Sequence, residues 1–252
     1  MFQILKARLH QGYRTFPFPE KQPPMAPRYA GRPKILPGSC KGDCAACVGV
    51  CPTGALSRGA GNRPVIDLGR CIFCRACEEA CAEKLISFTQ EFSMAANSKE
   101  ALVIADEKFK QAEAMGNELR RLFGRSLKLR QVSAGGCNAC EADINVLGTP
   151  NFDLARFGIQ FVASPRHADG LLITGPVSQN MKLALQKTYE ALPSPSIVIA
   201  VGACAVSGGL FKGNSEVNDG AAGIVPVDLF VPGCPPHPWT ILEGILRFMG
   251  RL

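Results

Sequence analysis

The run Cys71-x2-Cys74-x2-Cys77-x3-Cys81 constrains this chain more than any other feature. Three thiolates at that short spacing can wrap one iron–sulfur cube, while the fourth, displaced by one residue, reaches a neighbouring cube. A second run, Cys40-x3-Cys44-x2-Cys47-x3-Cys51-Pro52, lies upstream. Together the runs predict crossed ligation, with Cys40, Cys44, Cys47 and Cys81 on one 4Fe-4S cluster and Cys71, Cys74, Cys77 and Cys51 on another. Zinc is the competing occupant, but structural zinc sites pair two C-x2-C knuckles across a longer loop rather than placing four cysteines in one run.

Four of the twelve cysteines remain: Cys137 and Cys140 in SAGGCNACE, Cys204 in VGACAVSGG and Cys234 in VPGCPPHP. Each follows a strand-like apolar run, and loops from successive strand ends of an open parallel sheet converge on one edge, so these four can form a third set. The neighbouring glycines let backbone N–H groups approach sulfur closely. Four buried structural thiols are the alternative, since free cysteine is among the most buried residue types. A nucleotide-binding reading of GACAVSGG is weaker, because no Walker lysine follows and G-x-G-x-x-G is absent.

Residues 40–96 carry an internal repeat, with CPTGALS at 51–57 answering CAEKLIS at 81–87, each a ligand run followed by a turn and a short strand. Residues 1–39 hold seven prolines behind Phe2, Ile4, Leu5 and Leu9, the pattern of an extended arm after a short amphipathic turn, suited to a partner or membrane surface. In 97–125 the spacing of Leu102, Ala105, Phe109, Ala112, Met115, Leu119 and Leu122 predicts a linker helix, with Asn97 and Glu100 as its capping pair. From 126 to 252, strand-like runs near 127–132, 158–163, 171–174, 197–201 and 227–231 alternate with helical ones at 141–147, 178–191 and 238–250. That alternation predicts an α/β domain with a mainly parallel sheet and helices on both faces.

The formal charge of +7 invites a nucleic-acid reading until it is located. Residues 1–41 hold eight Lys and Arg against Glu20 alone, so one segment accounts for the excess, and thiolates around three clusters would cancel most of it. No nucleic-acid partner is expected. No apolar run reaches the roughly 18 residues of a membrane helix. MFQILKARLHQGYR lacks the long apolar stretch of a secretory signal, which points to a reducing, cytosolic setting. Glu141, beside Cys140, is a candidate for a proton relay or for a helix-start carboxylate. His167 and His237 lie nearer the third set than His10 does, with a structural role the default for all three. No Ser/His/Asp grouping or nucleophile elbow stands out, so electron transfer rather than substrate chemistry is the expectation, with no catalytic residue in this chain.

LGRCIFCRACEEAC and CVGVCPTGAL resemble the ferredoxin-like subunit of formate hydrogenlyase and respiratory complex I, whose arm lies along partner subunits. GGCNACE, ARFGIQ, SPRHAD, GACAVSGG and VPGCPPHP resemble the small subunit of membrane-bound group 4 nickel–iron hydrogenases, homologous to the 20 kDa subunit of complex I. The pair of resemblances implies a fusion of two adjacent subunits: a small α+β bacterial-type two-cluster ferredoxin domain, then a flavodoxin-like domain whose Cys137, Cys140, Cys204 and Cys234 match the ligand motif of a third 4Fe-4S cluster.

The same likeness implies an electron-transfer subunit of an oxidoreductase, held peripherally on the cytoplasmic side of the membrane. Its partners would be a nickel–iron large subunit, membrane subunits and a low-potential electron donor protein. The complex I branch typically has two adjacent cysteines where this chain has Cys137-x2-Cys140, so the spacing favours the hydrogenase branch over a nickel-free, quinone-reducing relative. A stand-alone iron–sulfur carrier or scaffold is the reading from another class. Two departures from the family pattern are the x3 spacing between Cys40 and Cys44 and Ala82, in place of proline, after Cys81.

Overall fold

The computed structural model describes residues 2–12, 14–42, 44–106 and 109–252. In chain order the elements are α1 (Phe2–Gln11), β1 (Pro33–Ile35), α2 (Ala46–Val50), β2 (Leu56–Arg58), β3 (Pro64–Asp67), α3 (Ala76–Ala80), β4 (Ile86–Phe88), β5 (Val103–Ile104), α4 (Asn117–Phe123), β6 (Leu127–Ser133), α5 (Ala139–Val146), β7 (Ile159–Phe161), β8 (Gly170–Thr174), α6 (Gln179–Glu190), β9 (Ile197–Val201), α7 (Ala203–Ser207), β10 (Leu229–Val231) and α8 (Pro238–Phe248).

Five strands form one parallel sheet in the order β10-β9-β8-β6-β7. Numbered within this unit the order is 2-1-3-4-5 read from the β7 edge, the flavodoxin-like winding, with its switch point between β6 and β8. Every residue of β8 and β9 is buried, as a parallel sheet covered on both faces requires. The pleat sends Ile197, Ile199 and Val201 into the core under α8, with Ile241, Leu242 and Ile245. Val198 and Ala200 point to the other face, Val198 into the core shared with Leu185 of α6.

Ala200, Ala205, Val206 and Phe230 join the core of the cysteine-rich unit, which also contains Ile35, Leu56, Ile66, Leu68 and Leu102. That unit is built from two small antiparallel sheets, β1 with β4 and β2-β3-β5. The sequence repeat is visible as α2 leading to β2 and α3 leading to β4, yet the two equivalent strands pair with different partners.

The continuous helix expected over 97–125 is not what forms. A 3-10 turn at Glu100–Leu102 runs into β5, and among the described residues helix returns only at α4. Leu102 and Ile104 are buried in the cysteine-rich core, whereas Ala112 and Met115 are buried in the core under the sheet. The three-and-four spacing therefore serves two cores instead of one helical stripe. Asn97, expected as a helix cap, accepts the Glu113 N–H at 2.6 Å and donates to the Glu113 carbonyl at 3.3 Å, pinning the loop.

The proline-rich segment also departs from the expected arm along a partner. All of α1 is exposed, but the following residues fold back on this chain. Phe16, Phe18 and Phe152 surround Trp239 with ring centroids 5.5, 5.3 and 4.6 Å away, and Arg156 donates to the Phe16 and Phe18 carbonyls. Among the described residues no helix is long and apolar enough to cross a membrane.

Candidate metal centres

The thiols fall into three neighbourhoods. Burial pushes Cys40 and Cys47 up from the ordinary thiol value; nearby Cys44 and Cys81 add to the push on both, and Cys40 adds to it on Cys47. Cys71 is pushed up to about 12 and Cys77 to about 11 by burial, with Cys51 and Cys74 close to both. Cys204 is raised to about 11 by burial and by Cys234, Cys137 and Glu141; Cys140 is raised further, by burial and then by Cys204, Glu141, Cys234 and Cys137. The structure thus brings together Cys40/Cys44/Cys47/Cys81, Cys51/Cys71/Cys74/Cys77 and Cys137/Cys140/Cys204/Cys234. Thiols held protonated by burial must release protons to bind iron as thiolates, so loading would be pH-dependent.

Cys51 and Cys81 each lie among the thiols of the other run, for a local reason. Each ends its short helix, α2 or α3, in extended conformation, which carries the side chain away from its own run. Four residues later the chain turns back: the Ala55 N–H donates to Cys51 Sγ and the Leu85 N–H to Cys81 Sγ, both at 3.2 Å. Phe73 N–H donates to Cys71 Sγ at 3.3 Å. Burial acts upward on Cys51 too, but N–H groups of Thr53, Ala55 and Leu56 and the Thr53 hydroxyl hold it below the ordinary thiol value. Such donors favour sulfur carrying negative charge, the state a cluster ligand occupies. Cys51, Cys71, Cys74 and Cys77 line one small cavity with Thr53, Ile72 and Phe88.

The third set sits at the carboxyl edge of the parallel sheet. Cys137 and Cys140 follow β6 at the switch point, Cys204 follows β9 in α7, and Cys234 follows β10. A Cβ on Gly202, where φ is +91°, would stand 2.5 Å from Cys140 Sγ, and one on Gly209 would stand 3.0 Å from Cys204 Sγ. Only glycine leaves that room. Among the described residues no three His, Cys, Asp or Glu converge on a single-ion position. A cube instead distributes four thiolates over four irons, and the donor set, the N–H···S bonds and the glycine-lined space fit it.

Glu141 is buried where β6 and β8 end. Ser133 and Thr174, paired in register, both donate to its Oε1 at 2.6 Å. Burial favours the neutral acid, but the two hydroxyls and its helix-start N–H outweigh this and hold the carboxyl below the usual range. Its role is to tie the Cys137–Cys140 turn to the sheet. His237 is the cap of α8: Nδ1 accepts the Trp239 N–H at 3.1 Å, and burial lowers its pKa, keeping it neutral. His167 is exposed in the 3-10 turn after β7, and His10 is exposed on α1.

Sequence reasoning missed the groups that join the second and third sets. Ile72 and Phe73, inside the Cys71 run, line one cleft with Cys234, Pro235, Pro236 and the arm residues Arg28 and Tyr29. Ser207 donates to the Gly69 carbonyl at 2.7 Å. No periodicity links residues 138 positions apart.

Fold and site together define an iron–sulfur protein in which a two-cluster ferredoxin unit is packed onto a flavodoxin-like domain. The 4Fe-4S dicluster domain family matches residues 32–82, and the family described as NADH ubiquinone oxidoreductase, 20 Kd subunit, matches residues 137–248. The chain is 43% identical over 143 residues to the probable membrane-bound hydrogenase subunit mbhJ of Pyrococcus furiosus, covering 57% of this chain and 86% of that protein. It is 43% identical over 139 residues to formate hydrogenlyase subunit 7 of Escherichia coli, covering 55% of this chain and 54% of that protein. A subunit of the NADH-quinone oxidoreductase of Desulfovibrio desulfuricans is also 43% identical over 112 residues, covering 44% of this chain and 61% of that protein. The chain belongs to the 20 kDa subunit family of NADH ubiquinone oxidoreductase, whose members are subunits of oxidoreductase complexes, and carries a 4Fe-4S dicluster domain ahead of it.

Proposed function

We propose that this chain is the electron-relay subunit of a membrane-bound, energy-converting hydrogenase of the formate-hydrogenlyase type, carrying three 4Fe-4S clusters. The ligands are Cys40, Cys44, Cys47 and Cys81 for the first, Cys71, Cys74, Cys77 and Cys51 for the second, and Cys137, Cys140, Cys204 and Cys234 for the third. The observation that carries the reading is the gathering of four dispersed cysteines at one sheet edge, next to the Cys71 run. That adjacency supports an order in which the first set faces a low-potential donor protein, the second is intermediate, and the third faces the nickel–iron site of a large subunit.

Such clusters supply one-electron transfer at potentials set by cluster type, net charge, hydrogen bonds to sulfur and solvent exposure, and the low end of that range, down to about −700 mV, suits proton reduction. The chain's own residues supply thiolates and N–H donors to sulfur. The Cys137-x2-Cys140 spacing and the relatives named as hydrogenase and formate hydrogenlyase subunits favour this over the quinone-reducing alternative. Exposed Leu210 and Phe211, directly after the Cys204 helix, suit contact with the large subunit. Attachment to the cytoplasmic face of the membrane is through partner subunits; of the expected divisions, 40–96 is the ferredoxin core, extended by β1 on one side and β5 on the other, and 126–252 is the flavodoxin-like unit.

Anaerobic purification of the complex tests this. About twelve irons and twelve sulfides per chain, nickel in the co-purifying large subunit and hydrogen evolution from reduced viologen are expected. A nickel-free complex that reduces quinone would replace the hydrogenase assignment, and an iron count near eight would remove one cluster.

A further inference from the structure

Gly69 and Ser207 lie two residues before Cys71 and three residues after Cys204, and they form the hydrogen bond that links these two ligand segments. The Ser207 hydroxyl donates to the Gly69 carbonyl at 2.7 Å; its other acceptor, the Ala203 carbonyl of its own helix, is more distant at 3.2 Å. The backbones meet here because position 69 lacks a side chain: a Cβ would stand 2.8 Å from Val206 Cγ1 and 3.3 Å from Leu102 Cδ1. Both flanks are rigid. Gly69 N–H donates to the Asp67 carboxylate at 2.8 Å and Cys71 N–H to the Asp67 carbonyl at 3.1 Å, while Gly208 N–H closes α7 on the Cys204 carbonyl at 2.9 Å. Elsewhere this contact is apolar, through Leu68, Leu102, Ala205 and Val206.

We propose that Ser207 is a positioning residue for electron transfer between the Cys51/Cys71/Cys74/Cys77 set and the Cys137/Cys140/Cys204/Cys234 set. Its hydroxyl turns a van der Waals gap into a continuous route from the Cys71 backbone through the Gly69 carbonyl to α7 and Cys204. Electronic coupling decays less steeply along covalent and hydrogen bonds than through space, so the hydroxyl raises the transfer rate without contributing a ligand. One electron leaves a reduced cluster on the first side and arrives at an oxidised one on the second; no bond is made or broken and no proton leaves Ser207. This inference rests on the three-cluster reading above.

Ser207→Ala and Ser207→Thr in the assembled complex test it. Both variants keep the Gly69–Val206 packing, so iron content and the midpoint potentials of both clusters are expected to match the wild type. After rapid mixing with dithionite, freeze-quench EPR should show the third cluster reducing several-fold more slowly in Ser207→Ala, with the rate recovered in Ser207→Thr. An unchanged rate in Ser207→Ala overturns this inference alone, since the clusters are then present and connected by another route. A slower rate with shifted potentials or lost iron, not recovered by threonine, also overturns it by reducing Ser207 to a structural contact. A wild-type complex lacking either cluster overturns both this inference and the function on which it rests.

Discussion

Ala96 and Phe230 exchange both backbone hydrogen bonds, the Ala96 N–H donating to Phe230 at 3.0 Å and the Phe230 N–H to Ala96 at 2.8 Å. The segment leaving the ferredoxin unit is therefore an antiparallel bridge on the β10 edge of the parallel sheet. It covers an edge that would otherwise expose unpaired groups, and with the shared core of Ala200, Val206 and Phe230 it makes the two units one mechanical body.

Ala96→Pro deletes one donor of that bridge and strands a buried carbonyl, at a cost of about 1–3 kcal/mol. In the wild type, visible cluster absorbance and the fluorescence of Trp239, the sole tryptophan, should change in one coincident thermal transition. The variant should melt lower. Two well-separated transitions in the wild type would contradict the single body.

Phe18 is 4% exposed and packs between Trp239 and Phe92. Phe18→Ala should cost about 3–5 kcal/mol and redden Trp239 emission as water reaches the indole. Equal stability by urea titration would mean that the arm contributes no net packing.

Cys81 neighbours Cys40 and Cys47, which lie outside its own run. Cys81→Ser should perturb the EPR signal of the cluster assigned to Cys40, Cys44 and Cys47, whereas Cys51→Ser should perturb the one assigned to Cys71, Cys74 and Cys77. The exchanged result, with Cys81→Ser perturbing the signal of its own run and Cys51→Ser that of its own, would exclude crossing.

Gly202→Ala places a methyl at 2.5 Å from Cys140 Sγ on a backbone with φ of +91°. Iron analysis should show a loss of about four irons per chain with the two ferredoxin signals retained. Full iron content would show that the loop can shift to make room.

Burial raises the carboxyl of Asp228 above its ordinary value, against the Val198 N–H that donates to it at 2.8 Å. The folded state then holds this proton more tightly than the unfolded chain. Its stabilising effect is complete below about pH 4 and is lost as pH rises through the folded value. Asp228→Asn retains an acceptor for Val198 without the buried charge, so its unfolding free energy relative to wild type should increase between about pH 4 and pH 7. A constant difference across that range, measured by urea denaturation, would rule out the penalty.

The elements of the parallel sheet were legible in the sequence because strand and helix patterns are local: Ile197–Val201 is a continuous apolar run of strand length, and Ile241, Leu242 and Ile245 repeat at helical spacing. The cysteine runs were legible for the same reason, since short spacing limits which thiols can share a centre. The fate of 97–125 was not, because burial of Leu102 in one core and Met115 in another produces the same spacing as a single amphipathic helix. Nor could sequence pair Ser207 with Gly69, Ala96 with Phe230, or Glu141 with Ser133 and Thr174. By itself the sequence determined which cysteines fall in the two short-spaced runs and which segments form the sheet. How the ferredoxin unit meets that sheet, and through which atoms, was decided only by tertiary packing, where a glycine's missing side chain and a single hydroxyl leave no periodic signature along the chain.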